Sequence, residues 1–241
     1  ADLERTRLVK RKQRTRAGAS VIALVGYTNA GKSTLLRRLT SADVLVQDQL
    51  FSTLDPTTRR LSLPGEREAL LTDTVGFVRK LPHQLVEAFR STLEEVREAT
   101  LLLHVVDGSR DVERQIAAVE RVLADIGVTG RPTVLALNKA DLLSPDDRSD
   151  LASRYPDAVS CSAATGAGMD ELSERIAAEL ARLEVEVALD VPFQRGDVVA
   201  RVHDAGEVLE ESYSATGTRL VARVPRDALA DLEPFLAPAE G

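Results

Sequence analysis

The chain has 241 residues, a formal net charge of −7, and a composition that is 44% hydrophobic but only 3% aromatic. This length is sufficient for one domain of ordinary size with its own hydrophobic core and for a smaller second domain. Because no apolar run reaches about 18 residues and Cys161 is the single cysteine, the sequence excludes a membrane-spanning helix and an internal disulfide and favours a reducing cytoplasm.

Residues 1–18 are predicted to form a basic stub ahead of the first domain. The acidic residues of this stub are Asp2 and Glu4, and its basic residues are Arg5, Arg7, Lys10, Arg11, Lys12, Arg14 and Arg16. Such a tract could contact RNA phosphates and make binding salt-dependent, or it could be a solvated helix end. The sequence leaves both alternatives open.

The strongest motif is residues 26–33, Gly-Tyr-Thr-Asn-Ala-Gly-Lys-Ser, which follow the spacing G-x-x-x-x-G-K-[ST]. The apolar residues 21–25 before it predict a buried parallel strand, and residues 33–39 predict a helix. Backbone N–H groups would therefore converge on an anion at a helix N-terminus. Lys32 is expected to reach the β- and γ-phosphates, and the Ser33 hydroxyl is expected to ligate Mg²⁺. This motif predicts nucleotide phosphate binding.

A long irregular segment and a hairpin follow. Residues 40–58 have no sustained period and fit a switch loop, whereas residues 59–63 and 69–71 predict a hairpin around Pro64-Gly65. Asp73-Thr74-Val75-Gly76 comes directly after this hairpin. We expect Asp73 to hold Mg²⁺ through water and the Gly76 N–H to sense the γ-phosphate.

The pattern then predicts alternating helices and parallel strands. The predicted helices are residues 82–98, 112–126 and 169–184, and the predicted strands are residues 101–106 and 133–137. His104, inside an apolar strand, is interpreted as a core histidine with satisfied hydrogen bonds. Asp107 ends that strand and could be either a loop cap or a wall of the nucleotide site.

The choice of base is indicated by Asn138-Lys139-Ala140-Asp141, at the carboxyl end of a predicted strand. The Asp141 carboxylate can accept from guanine N1–H and N2–H, which adenine lacks. Asn138 is expected to tie this segment to the phosphate loop, and the stem of Lys139 to cover the base. The backbone amides of Ser160-Cys161-Ser162-Ala163 are expected to approach the guanine oxygen. These motifs, in this order, predict a GTPase.

From about Val185 the pattern changes to β-α-β-β-α. Strands are predicted from residue 185, at 208–214 and at 219–224, with helices at 196–204 and 226–235. The predicted fold class is α/β: a P-loop GTPase domain at 19–183, with a mostly parallel sheet and helices on both faces, plus a small α+β C-terminal domain at 184–241. This second domain could act as a lid that stabilises the GTPase domain.

Three segments carry a resemblance to a known family. They are Gly26 to Leu35; Leu50-Phe51-Ser52-Thr53-Leu54-Asp55-Pro56-Thr57-Thr58-Arg59; and Asp73 to Phe77 running into Leu81-Pro82-His83-Gln84-Leu85-Val86-Glu87-Ala88-Phe89. The chain resembles HflX, a bacterial ribosome-associated GTPase, from about Arg11 to near its C-terminus. The resemblance places the basic stub at the end of a helical arm and implies a ribosome-facing or packing role for the second domain. Because family members usually carry a further N-terminal domain, it also implies that this chain is a fragment.

The resemblance assigns Thr53 as the switch threonine that ligates Mg²⁺, with Thr57 and Thr58 as competitors. The predicted metal ligands are thus Ser33, Thr53 and Asp73. The residues predicted to bind the nucleotide are Gly26, Tyr27, Thr28, Asn29, Ala30, Gly31, Lys32, Ser33, Thr34, Phe51, Ser52, Thr53, Leu54, Asp55, Asp73, Thr74, Val75, Gly76, Asn138, Lys139, Asp141, Ser160, Ser162 and Ala163.

Phe77 stands where small regulatory GTPases carry a water-orienting glutamine. A phenyl ring cannot orient water, so we expect hydrolysis by the chain alone to be slow. Asn29 resembles the asparagine by which several GTPases hold K⁺, and His83 is a second candidate, although a surface role fits it better. The predicted catalytic residues are Lys32, Asn29 and Gly76.

The resemblance implies a GTPase that binds the large ribosomal subunit and its rRNA, is stimulated there, and in full-length form splits ribosomes under stress. The alternative is a GTP-responsive RNA- or ribosome-binding or assembly module in which hydrolysis is incidental. In either case we expect a cytoplasmic, partly ribosome-associated monomer that uses Mg²⁺ and GTP, with K⁺ as a further candidate ion, and that neither binds DNA nor spans a membrane.

Overall fold

The computed structural model describes residues 20–40, 57–65, 67–73 and 95–237. It divides into two compact units, one spanning Ser20–Glu179 and the other containing the described residues 180–237. The division falls inside a helix, Met169–Leu183, whereas the predicted domain boundary lies at the end of that helix. The predicted limits of the domains therefore stay a prediction.

The first unit contains a six-stranded sheet in the order β2-β3-β1-β4-β5-β6, in which β2 is antiparallel and the other strands are parallel. The strands are β1 Ser20–Gly26, β2 Thr57–Leu63, β3 Arg67–Asp73, β4 Leu101–Asp107, β5 Thr133–Asn138 and β6 Val159–Ser160. The helices are α1 Lys32–Thr40, α2 Val112–Asp125, α3 Pro145–Arg154 and α4 Met169–Leu183. The predicted α/β fold class is confirmed.

Continuous apolar runs form the central strands because both sheet faces are covered. Successive side chains of a strand point to opposite faces, yet residues 22–26 of β1 and all of β4 are buried. Ala23, Val25 and Leu102 pack with Val119 and Leu123 of α2 in one core cluster. This core holds the strand ends, and hence the loops that follow them, in fixed positions.

The β2–β3 hairpin is longer than predicted. Its antiparallel register runs from Thr57 opposite Asp73 to Leu63 opposite Arg67, because cross-strand pairing extends both strands beyond their apolar residues. Thr58 lies in β2, and its hydroxyl is 3.0 Å from that of Thr72. The competitors of Thr53 are thus strand residues, while Thr53 itself lies outside the described residues.

Helix α3 was missed by the sequence interpretation because Leu151 is its only buried residue. Its start nevertheless has a clear signal: the Ser144 hydroxyl accepts from the Asp147 N–H, and Pro145 occupies the first turn. The predicted helix 82–98 lies outside the described residues except for its end, where residues 95–98 are helical.

The second unit contains a three-stranded antiparallel sheet in the order β7-β9-β8. Its elements are β7 Glu184–Pro192, α5 Gly196–Ala205, β8 Glu207–Tyr213, β9 Gly217–Pro225 and α6 Leu229–Leu232. Alternate residues of β7, namely Val187, Leu189 and Val191, are buried and pack with Val198 and Val202 of α5. The predicted small α+β domain fold is confirmed.

The prediction of one helix over residues 226–235 is wrong. The chain instead forms a 3₁₀ turn at Arg226–Ala228, the short α6, and a second 3₁₀ turn at Glu233–Phe235. Pro234 lacks the N–H that a continuing α-helix requires, so the helix ends before it.

Candidate functional site

The loop of residues 26–34, called the phosphate loop below, joins β1 to α1 as predicted. A Cβ on Gly26 would lie 2.3 Å from the carbonyl oxygen of Val105, and a Cβ on Gly31 would lie 2.3 Å from Nδ2 of Asn138. Gly31 also has a φ of +97°, which side chains rarely adopt. Both glycines are therefore required by close packing and not only by the turn.

Two further residues of the phosphate loop have unusual environments. Asn29 is exposed and has a φ of 61°, a left-handed conformation that asparagine tolerates better than most residues. Lys32 is buried, and its Nζ donates to the carbonyl oxygens of Gly26 and Tyr27 at 3.1 and 3.2 Å. Burial lowers the pKa of Lys32 to about 8, against the opposing effect of Asp73. Bound phosphates would favour its charged form.

Two of the predicted metal ligands are in direct contact. The Ser33 hydroxyl at the start of α1 donates to Oδ2 of Asp73 at the end of β3, at 2.6 Å. β3 lies beside β1 in parallel register, with Leu24 opposite Asp73, so the two strand ends bring these oxygens together. A hydroxyl and a carboxylate side by side are the hard oxygen donors that Mg²⁺ prefers.

Asn138 links three loops at the carboxyl edge of the sheet. Its Nδ2 donates to the Ala30 carbonyl at 2.8 Å, and its Oδ1 accepts from the Ala163 N–H at 2.9 Å. The side chain is buried, so these bonds are shielded from water. The predicted tie between Asn138 and the phosphate loop is confirmed, and the bond to Ala163 is an additional contact.

Asp141 lies in a 3₁₀ turn, Ala140–Leu142, and its Oδ1 accepts from the Ser162 hydroxyl. The Ala140 N–H donates to the Cys161 carbonyl at 3.0 Å, which also joins the two segments. Burial, and secondarily Glu171, raises the pKa of the Cys161 thiol to about 12. The thiol is therefore protonated near neutral pH and serves packing.

Arg38 near the end of α1 was not singled out by sequence reasoning. Its Nε donates to the Ala163 carbonyl at 3.2 Å and its Nη2 to the Ala164 carbonyl at 2.7 Å. The helix that begins at the phosphate loop thus also supports the loop after β6. Only the position of a basic residue in the last helical turn could have suggested this contact.

The interpretation of His104 as a core histidine with satisfied hydrogen bonds is half correct. The side chain is buried, but among the described residues Nε2 has no hydrogen-bond partner. Burial, and secondarily the positive charge of Lys32, lowers the pKa of His104 to about 4. The imidazole is therefore neutral in the folded protein near neutral pH.

We predict a pH dependence of stability from His104. The unfolded chain binds a proton near pH 6.5 and the folded chain near pH 4, so stability is lost as pH falls through this window, by about 3 kcal/mol in all. Urea unfolding of His104→Leu should show a markedly flatter pH profile. His203→Gln changes a half-exposed histidine whose contact with Glu211 a glutamine amide can keep, so it should retain most of the wild-type slope. Equal slopes for wild type and His104→Leu would contradict the assignment.

Several predicted site residues lie outside the described residues: Phe51, Ser52, Thr53, Leu54, Asp55, Thr74, Val75, Gly76, Phe77 and His83. The structure brings together the remaining groups. Residues 26–34 contact Asp73 through Ser33 and Asn138 through Ala30, and Asn138 in turn contacts Ala163. The arrangement can hold phosphates at one end of α1 and a base near Asp141.

Comparisons with known proteins agree with this geometry. Residues 21–139 match the model of a family described as a 50S ribosome-binding GTPase. GTPase HflX of Caldanaerobacter subterraneus subsp. tengcongensis is 44% identical over 98% of this chain and 54% of its own length. GTPase HflX of Escherichia coli K12 is 42% identical over 92% of this chain and 53% of its own length.

This chain belongs to the HflX family. It spans about half the length of the curated HflX relatives that it matches. Among solved structures, a GTP-binding protein from the archaeon Sulfolobus solfataricus in complex with GDP is 27% identical, with a TM-score of 0.54 over 74% of this chain and 57% of that chain. The predicted resemblance to HflX is confirmed. No helix in the described part of the chain has the length and apolar character to cross a membrane.

Proposed function

We propose that this chain binds guanine nucleotides and hydrolyses GTP to GDP and phosphate. The observation that carries the proposal is the position of Asn138, whose side chain joins Ala30 of the phosphate loop to Ala163 of the loop after β6. A nucleotide with its phosphates on the N-terminus of α1 would then have its base near Asp141. The HflX relatives, which are named GTPases, support the same activity.

The described residues suggest how the phosphates would be held. Backbone N–H groups of the phosphate loop and the Lys32 ammonium would bind the β- and γ-phosphates. The oxygens of Ser33 and Asp73 fit Mg²⁺, which would neutralise charge on the phosphates when bound. Thr53 is proposed as a further ligand, and Gly76 as the γ-phosphate contact. The exposed Asn29, in its left-handed conformation, is proposed to hold K⁺.

We further propose that the large ribosomal subunit and its rRNA are the partner, and that the full-length protein splits or rescues ribosomes under stress. The match to a family described as 50S ribosome-binding GTPases supports ribosome association. This proposal places the chain in the cytoplasm, as a monomer with a GTPase domain at 19–183 and a C-terminal domain at 184–241. Because Phe77 cannot orient the attacking water, the ribosome or K⁺ would supply the missing contribution to hydrolysis.

Phosphate release tests the proposal. We expect slow turnover of GTP and none of ATP by the chain alone, with stimulation by large subunits of at least about tenfold. Turnover in potassium should exceed turnover in sodium, and Asn29→Ala should abolish that difference. GTP-dependent binding to subunits with unchanged turnover would favour the alternative, a GTP-responsive binding module. Equal rates of phosphate release with GTP and with ATP would contradict both the proposed GTPase function and this alternative.

A further inference from the structure

Asp107, the last residue of β4, occupies a fixed position beside the site. It lies opposite Asn138 in the parallel register of β4 and β5. The buried Gln115 of α2 bonds to both backbone groups of Asp107. Its Oε1 accepts from the Asp107 N–H at 3.0 Å, and its Nε2 donates to the Asp107 carbonyl at 2.9 Å. The backbone that carries this carboxylate is therefore rigid.

The Asp107 side chain has two sets of partners and is only 4% exposed. Its Oδ1 accepts from the N–H and the hydroxyl of Ser109 at 3.0 and 2.6 Å, which confirms the loop-cap alternative. Its Oδ2 accepts from Nζ of Lys139 at 2.7 Å, with Nε of Arg110 at 3.6 Å. Burial acts to raise the pKa of Asp107, but the bonds from Lys139 and Ser109 outweigh it and the pKa is lowered. The carboxylate is thus ionised at neutral pH.

Lys139 is constrained both at its backbone and at its ammonium group. Its backbone has a φ of 65°, a left-handed conformation that is uncommon for a long side chain. Its ammonium is held by Asp107, although the side chain remains 29% exposed. With both ends fixed, the four-carbon stem between them loses most of its rotamer freedom before any ligand arrives.

We propose that Asp107 is a positioning residue for guanine-nucleotide binding, which holds the Lys139 ammonium so that the stem is prearranged against the base. The inference rests on the proposed function, since it assigns a role within that nucleotide site. A prearranged stem avoids an ordering cost when the nucleotide binds, so its effect should appear as tighter binding and slower dissociation.

A double-mutant cycle tests the coupling. Calorimetry with GDP and Mg²⁺ should give an affinity about tenfold weaker for D107N than for wild type, because the neutral amide holds the ammonium less firmly. In the K139M background, where no ammonium remains, the same D107N change should alter the affinity less than about twofold. A tenfold effect of D107N in both backgrounds would show a merely structural role and overturn the proposal.

The controls separate the possible failures. D111N makes the same change in the nearby exposed cap of α2, where asparagine caps equally well, and should leave the affinity for GDP unchanged. If D107N does not fold, K139M removes the same contact at the partially exposed Lys139. An unchanged affinity of K139M for GDP would overturn the inference. Wild-type affinity in D107N would also overturn it. Failure of the wild-type chain to bind GDP would instead overturn the proposed function.

Discussion

Replacing Asp141 with alanine is expected to weaken GDP binding by at least about a hundredfold, because guanine N1–H and N2–H would both lose a charged acceptor. The carboxylate is held for this role by the Ser162 hydroxyl and by the 3₁₀ turn Ala140–Leu142. Binding of ADP should stay as weak as in the wild type, since adenine offers neither donor. Isothermal titration with GDP and ADP measures both affinities.

Two further variants sharpen this test. Asp146→Ala removes an exposed carboxylate in the first turn of α3 and should leave GDP affinity unchanged. Asp141→Asn replaces one carboxylate acceptor by an amide donor. The variant should therefore bind a xanthine nucleotide more tightly than a guanine nucleotide, because xanthine has an oxygen in place of the guanine amino group. An Asp141→Ala protein with wild-type affinity for GDP would contradict the guanine assignment.

Replacing Asn138 with aspartate is expected to lower the free energy of unfolding by about 3 kcal/mol and to abolish nucleotide binding. The change is nearly isosteric, but it removes the donor to the Ala30 carbonyl and places a carboxylate against that carbonyl in a buried position. Urea unfolding and GDP titration measure the two effects.

The matched control uses the same substitution in the phosphate loop. Asn29→Asp lies at an exposed position with a left-handed backbone that aspartate also tolerates, so stability should change by less than about 0.5 kcal/mol. Equal losses of stability in the two variants would show that the link from Asn138 to Ala30 and Ala163 does not stabilise the folded protein.

The motifs predicted the fold, and the contact between Asn138 and the phosphate loop, because their spacing relates directly to local structure. A strand, a glycine-bearing loop and a helix follow from residues 21–39, and strand ends of a parallel sheet meet at one edge. Periodicity failed where few apolar residues mark an element. Helix α3 buries only Leu151, and the predicted last helix overlooked the effect of Pro234.

Contacts between distant segments could not be predicted from local patterns. Arg38 donates to the carbonyl of Ala163, and Asp107 accepts from the ammonium of Lys139. The two residues of each pair are not related by any spacing that a sequence pattern would reveal. These contacts depend on strand order and on parallel register, which place the end of β4 beside the end of β5. Position in the sheet decides which polar side chains meet.

We propose that the loops linked by Asn138 form a guanine-nucleotide site. The most direct measurement is calorimetric titration of the wild-type chain with GDP and with ADP in the presence of Mg²⁺. We predict a preference for GDP of at least about a hundredfold, given the two additional hydrogen bonds to Asp141. Equal affinity for the two nucleotides, or no binding of either, would rule out a guanine-nucleotide site.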